Sequence, residues 1–180
     1  MFKLVNGGEK LPTRATRFSA GFDVYSREDK VIGAGCTELI GLGIALDIEI
    51  KNNEFQIQHY KRNANSHFLE LHIRSSLRAK GLTSLGTGVI DMDYDQEIKM
   101  VMHNPMVAVQ CIPIKSGSGD YIGDEYKSEG FGDLEFGAYE IKKGDKIGQL
   151  ILKRHEGYLL PEKYTLNAER NGGFGSSGTR

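Results

Sequence analysis

The chain has 180 residues, a formal net charge of −1, 23 glycines, two cysteines and no tryptophan. That length fits one domain with a sizeable core, and the near-neutral charge excludes a global basic field for long nucleic acids while allowing a local cluster for a small anion. Cys36 and Cys111 match no metal spacing, are too few for a disulfide framework, and fit reduced thiols.

In chain order, the opening "MFKLVNGGEK" carries no apolar segment of the secretory type, and no later stretch approaches a membrane span. The expectation is a soluble, cytoplasmic protein. "TELIGLGIALDI" (37–48) is a long apolar run, and "EFQIQHY" (54–60) alternates around Phe55 and Ile57. "HFLELHIR" (67–74) alternates Leu69, Leu71 and Ile73 against Glu70 and His72, and "EIKMVMH" (97–103) does so with Ile98, Met100 and Met102. Glycines and Asn pairs break these runs at Gly7–Gly8, Gly33–Gly35, Asn52–Asn53 and Gly86–Gly88. Only "SSLRAKG" (75–81) suits one or two helical turns. Short strands at this spacing predict an all-β barrel or sandwich.

Two polar stretches read as surface insertions. "NNEFQIQHYKRNANSH" (52–67) fits a protruding hairpin or loop. "SGSGDYIGDEYKSEGFGDLEFG" (116–137) is rich in glycine, serine and acids, which predicts a surface loop whose aromatics suit a partner. The C-terminal "NGGFGSSGTR" (171–180) fits either a disordered end or a lid. In the lid, backbone N–H groups grip phosphate and Phe174 stacks on a flat ring.

The chemistry concentrates in a few places. In "GTGVIDMDYDQE" (86–97), Gly86 and Gly88 let backbone approach a ligand closely. Asp91, following Val89–Ile90 at a strand end, is placed to hold a water as a base. Taken alone, "DMDYD" better fits a turn with Asp hydrogen-bonding its own backbone. "RSSLRAKG" (74–81) groups Arg74, Ser75, Ser76, Arg78 and Lys80, which suits a polyphosphate or an N-capped solvated turn. "KKGDKIGQLIL" (142–152) reads as a tight turn entering a core strand, with Gln149 a buried amide in need of partners. "NGGFGSSG" is not a Walker loop, because no Gly-Lys-Ser/Thr follows its glycines.

Taken together, these segments resemble the five ordered motifs of the trimeric deoxyuridine triphosphatases (dUTPases). "SAGFDVYS" (19–26) is similar to the first, built on Ala-Gly-x-Asp, and "RSSLRAKG" to the second, usually Arg-Ser-Gly-Leu-Ala. "GTGVIDMDY" (86–94) resembles the third, Gly-Val-Ile-Asp-x-Asp-Tyr. "GDKIGQLIL" (144–152) resembles the fourth, Gly-Asp-Arg-Ile-Ala-Gln-Leu, and "GGFGSSG" (172–178) the fifth. The resemblance implies a single jelly-roll domain over 1–180, a homotrimer, and a flexible C-terminal lid at 167–180. It also implies Mg²⁺-assisted hydrolysis of dUTP to dUMP and pyrophosphate, a hydrolase of nucleotide metabolism that limits uracil in DNA. No stable nucleic-acid binding and no membrane association are expected.

The resemblance also assigns roles. Asp91 would activate the water that attacks the α-phosphorus. Tyr94 would lie against the deoxyribose and leave no space for a 2′-hydroxyl. Backbone at Thr87, Gly88 and Val89 would read uracil. Ser75, Ser76 and Gln149 would hold phosphates with Arg74 bracing them, and Asp23 would act near the metal through water. Arg170, Phe174, Ser176 and Ser177 would form the lid. Phe174 would stack on the base.

The departures are Ser76 for Gly, Arg78 for Ala, Gly148 for Ala, and one residue fewer between Arg170 and Phe174. The stretch between the third and fourth motifs is also longer, as in some phage relatives whose insert contacts other proteins. A dCTP deaminase of the same fold needs a Glu where "EIKMVMHN" has Val101, and its His-Arg-Ile-Asp-Pro-Gly-Trp pattern is absent. A nucleotide-controlled interaction protein acting through 116–137 is the alternative from another class.

Overall fold

The alternating segments fold as short antiparallel strands in the computed structural model, which describes residues 1–52, 54–57, 60–85, 88–106, 109–115, 117–119, 121–128 and 137–159. In chain order the strands are β1 (Phe2–Leu4), β2 (Phe22–Tyr25), β3 (Lys30–Ile32), β4 (Thr37–Gly41), β5 (Ile44–Leu46), β6 (Glu54–Ile57) and β7 (Tyr60–Asn63). Then follow β8 (His67–Ile73), the single helical turn α1 (Ser75–Arg78), β9 (Gly88–Asp91), β10 (Lys99–His103), β11 (Val109–Lys115), β12 (Tyr121–Ser128), β13 (Tyr139–Ile141) and β14 (Lys146–Arg154). This is the all-β jelly-roll architecture expected from the sequence.

The element that positions the site is a four-stranded sheet in the order β2-β14-β8-β9. Period-two alternation decides which side chains it buries. Val24, Leu69, Leu71, Ile73, Ile90 and Leu150 enter the core, together with Ile40, Met100 and Met102 from the β4–β10 pair and Ile98 just before it. Each such side chain contributes about 1.5–3 kcal/mol by leaving water. Asp23, Gln149 and His72 fall on the opposite phase, in one cross-strand row.

Three sequence readings change. The apolar run at 37–48 is not one strand: β4 and β5 are separated at Gly43, whose φ is +65°. Gly8 packs onto this corner so closely that a Cβ on it would stand 2.0 Å from the Gly43 carbonyl oxygen. "EFQIQHY" is likewise not one strand. β6 and β7 pair as a hairpin, and Phe55, 1 % exposed, pins that hairpin to the core. So 52–67 is a surface feature with a buried anchor. In the longer stretch, β12 pairs with β11 from Ser128↔Val109 onward, forming a two-stranded ribbon where a loop was expected. Gly123 and the Asp124–Glu125 pair hide that alternation in the sequence. Residues 129–136 lie outside the described residues.

Gly148 also has a physical reason. A methyl there would meet Met100 Cε at 2.3 Å and the His72 carbonyl oxygen at 2.9 Å, so the glycine and Met100 fit together.

A buried carboxylate ties the amino-terminal segment to the barrel. Glu97 is 7 % exposed and accepts from Arg27 Nε at 2.6 Å, Asn6 Nδ2 at 2.9 Å and the Gly43 amide at 2.9 Å. Burial pushes its carboxyl up, but these donors and the Arg27 charge outweigh that and hold it below the ordinary carboxylate value.

Candidate functional site

Asp91 ends β9, paired with Phe68 of β8, and its side chain is exposed. Its carbonyl accepts from the Tyr94 amide at 3.1 Å, closing a turn over 91–94. The segment is thus a turn closed by main-chain atoms, and it leaves the Asp91 carboxylate exposed at a strand end. Met92 and Tyr94 point inward, at 4 % and 9 % exposure, and the Tyr94 hydroxyl donates to the Glu97 carbonyl at 3.2 Å. Asp93 faces outward with Asp91. At the other end of β9, Gly88 and Val89 are exposed, Val89 at 62 %. An open backbone edge beside an exposed apolar group suits a flat heterocycle. Thr87 lies outside the described residues.

A second cluster surrounds Asp23. Asp23 is 2 % exposed, and its carboxylate receives Lys146 Nζ on Oδ2 at 2.9 Å and Gln149 Nε2 on Oδ1 at 3.0 Å. Arg74 Nε stands 3.9 Å away. Burial pushes the Asp23 carboxyl up. The Gln149 and Lys146 hydrogen bonds and the Lys146 and Arg74 charges more than offset this, so it ionises below its usual value. Arg74 has extended backbone (φ −64°, ψ 144°), donates its amide to the Ile147 carbonyl at 3.1 Å, and opens α1. Leu77, 7 % exposed, anchors that turn, which leaves Ser75 and Ser76 exposed at its start. Arginine, two hydroxyls and an oriented amide make a polar cradle suited to phosphate oxygens.

The sequence pattern missed two features. Lys146 reads as an ordinary turn lysine, yet it carries the shortest contact to Asp23 from 123 residues away. Glu70, 9 % exposed, pairs with His72 Nε2 at 2.7 Å and with Lys153. Its carboxyl is lowered by the Lys153 and His72 hydrogen bonds against a smaller opposing effect of burial. Glu70 and His72, two residues apart on one face of β8, were the available signal.

Asp23, Glu70 and Glu97 all ionise more readily folded than unfolded, where their reference values are 3.8, 4.5 and 4.5. A carboxyl depressed by folding stabilises the protein above its unfolded pKa, and that stability disappears as pH falls through the folded value. The thermal midpoint should therefore stay level from about pH 7 to 5.5 and fall steadily below about pH 4.5. The variant Glu97→Gln should unfold at lower temperature at neutral pH and show a shallower acid slope. A midpoint unchanged or rising below about pH 4 would contradict the assignment.

The two clusters do not meet within one chain. Asp91 lies level with Phe68 at the start of β8, and Arg74 follows the end of that strand, six residues on. At ~3.3 Å per residue the separation is ~20 Å. The lid candidates Arg170, Phe174, Ser176 and Ser177 lie outside the described residues. Among the described residues, no group of three or more His, Cys, Asp or Glu side chains could hold a metal ion. Such a donor set does not fit a protein-caged ion. It does fit Mg²⁺ carried in by phosphate oxygens, because Mg²⁺ keeps most of its waters and takes few carboxylates. Asp23 retains lone pairs for such a water beyond the two hydrogen bonds that it accepts. No helix among the described residues is long and apolar enough to cross a membrane.

No family model matches the chain. Curated relatives do. It is 31 % identical over 172 residues to the deoxyuridine 5′-triphosphate nucleotidohydrolase of Debaryomyces hansenii, covering 93 % of this chain and 80 % of the relative. The Nautilia profundicola enzyme of that name is 29 % identical over 180 residues, covering 98 % and 96 %. In fold, the chain is similar to the dUTPase from phage phi11 of S. aureus, with a TM-score of 0.62 at 21 % identity over 95 % of this chain and 98 % of that one. That structure carries a structural Mg(II) ion. A Staphylococcus bacteriophage 80alpha dUTPase bound to dUpNHpp matches at 0.62 and 21 %, covering 99 % and 98 %. The chain belongs to the deoxyuridine 5′-triphosphate nucleotidohydrolase family.

Proposed function

We propose that the protein hydrolyses dUTP to dUMP and pyrophosphate, with Asp91 as general base. The observation that carries this reading is the placement of Asp91: an exposed carboxylate at the end of a paired strand, one turn before buried Tyr94 and three residues after Gly88. A carboxylate oxygen takes a proton from water while the water oxygen attacks the α-phosphorus. The bond from that phosphorus to the bridging oxygen breaks, and pyrophosphate leaves. Asp23 would reach a triphosphate-bound Mg²⁺ through water, and the ion would supply charge neutralisation there.

Specificity rests on the same strand. Backbone groups from Thr87 to Val89 pair with the uracil edge, and cytosine there leaves a buried polar group unpaired. The Tyr94 ring underlies the deoxyribose and leaves no room for a 2′-hydroxyl. Ser75, Ser76 and Gln149 bind phosphate oxygens beside Arg74. Arg170, Phe174, Ser176 and Ser177 close over the substrate and exclude water. The ~20 Å between Asp91 and Arg74 supports a homotrimer whose sites combine residues of neighbouring subunits. Val101, at the position where the deaminase reading needs a Glu, sits half-buried against Leu39 and has no proton to transfer.

With Mg²⁺ present, pyrophosphate release from dUTP should exceed release from dCTP, dTTP or UTP by about 10²-fold or more. Comparable turnover of dCTP, or ammonia released from it, would reject the reading.

A further inference from the structure

We propose that Lys146 is a positioning residue for the phosphate-binding side chains, holding Asp23 so that Gln149 and Arg74 face the triphosphate. The inference deepens the dUTP reading and rests on it. Three side chains converge on one nearly buried carboxylate from two parts of the fold: Lys146 and Gln149 of β14, and Arg74 after β8. The distances rank them. Lys146 and Gln149 are in hydrogen-bond contact at 2.9 and 3.0 Å, whereas Arg74 Nε at 3.9 Å is not. Arg74, its side chain 34 % exposed, thus feels the charge of Asp23 while its guanidinium keeps donors for a ligand.

Lys146 is itself held. Its ammonium lies 5.9 Å from the Tyr25 ring centroid, and the Tyr25 hydroxyl is bonded to Thr13 Oγ1 at 2.6 Å. Lys10 approaches the same ring at 4.9 Å. β14 shifts register between Lys146 and Gly148, so its first residue is displaced from the regular ladder as it meets Tyr25. An uncompensated carboxylate at 2 % exposure is costly, so loss of Lys146 draws the nearest remaining cation inward. That cation is Arg74. The pairing therefore decides whether the arginine fork faces Asp23 or the substrate. It also sets local charge: Asp23, Lys146 and Arg74 together leave one positive charge, and without Lys146 the cluster is neutral.

The test is a double-mutant cycle with Mg²⁺, reading dUpNHpp affinity by calorimetry and kcat and KM for dUTP. Lys146→Met should raise the dissociation constant and KM by about tenfold or more with kcat within about threefold, and Lys146→Arg should restore binding to within about threefold. Asp23→Asn should also weaken binding, and adding Lys146→Met to it should cost less than about threefold more. A lysine acting only through its own charge predicts the opposite: Asp23→Asn would tighten binding, and the two effects would add. Either result, or Lys146→Met binding within about threefold of the parent, overturns the inference. If Lys146→Met does not fold, the comparison of Asp23→Asn with the charge-balanced double variant decides alone. A parent chain that neither binds the analogue nor hydrolyses dUTP would instead overturn the functional reading.

Discussion

Asp91→Asn should lower kcat for dUTP by ~10²-fold or more while dUpNHpp affinity stays within about tenfold of the parent. Asparagine keeps the shape of the carboxylate and removes its ability to take a proton at neutral pH. The fold should not notice. The turn after β9 is closed by the Asp91 backbone carbonyl, and the neighbours that point inward are Met92 and Tyr94. An unchanged thermal midpoint would accordingly separate lost chemistry from lost structure. If the variant keeps more than about a tenth of parental activity, Asp91 is not the base, and Asp93, exposed on the same turn, becomes the group to replace.

How far the sequence reveals this molecule depends on the range of the interaction. β8, β10 and β14 are legible because each alternates against one core, so period two shows directly in Leu69–Leu71–Ile73 and Met100–Met102. The corner at Gly43 is not, because its cause is the approach of Gly8 from a distant segment. The ribbon of β11 and β12 escapes notice because its pairing is main-chain hydrogen bonding through a glycine- and acid-rich stretch.

The candidate site divides in the same way. Asp91, Tyr94 and the open edge at Gly88 are local, and the resemblance of 86–94 to the third motif marks them. The network around Asp23 joins residues 126 and 123 positions apart, and no periodicity announces such a pair. Glu97 is a further case. It looks like one more acid in "DMDYDQE", yet it is the buried acceptor for Asn6, Arg27 and Gly43.

The central claim is that one site performs dUTP hydrolysis with Asp91 from one subunit and the phosphate grip from another. The distance from Phe68 along β8 to Arg74, just past its end, motivates it, because a base must come within hydrogen-bond reach of the water it activates. Two inactive chains should therefore rescue each other. One carries Asp91→Asn with an intact grip; the other carries Arg74→Ala and Gln149→Ala with an intact Asp91. Co-expressed with different affinity tags and purified through both, they should give trimers containing both chains if the proposed homotrimer forms. In a three-fold ring where each site takes Asp91 from one subunit and the grip from the next, every mixed trimer has one complete site. Mixed trimers should thus recover about one third of parental kcat. If each site were built within one chain, no combination would be complete. Activity no higher than that of either parent trimer, with both parents folded and trimeric, would contradict the account.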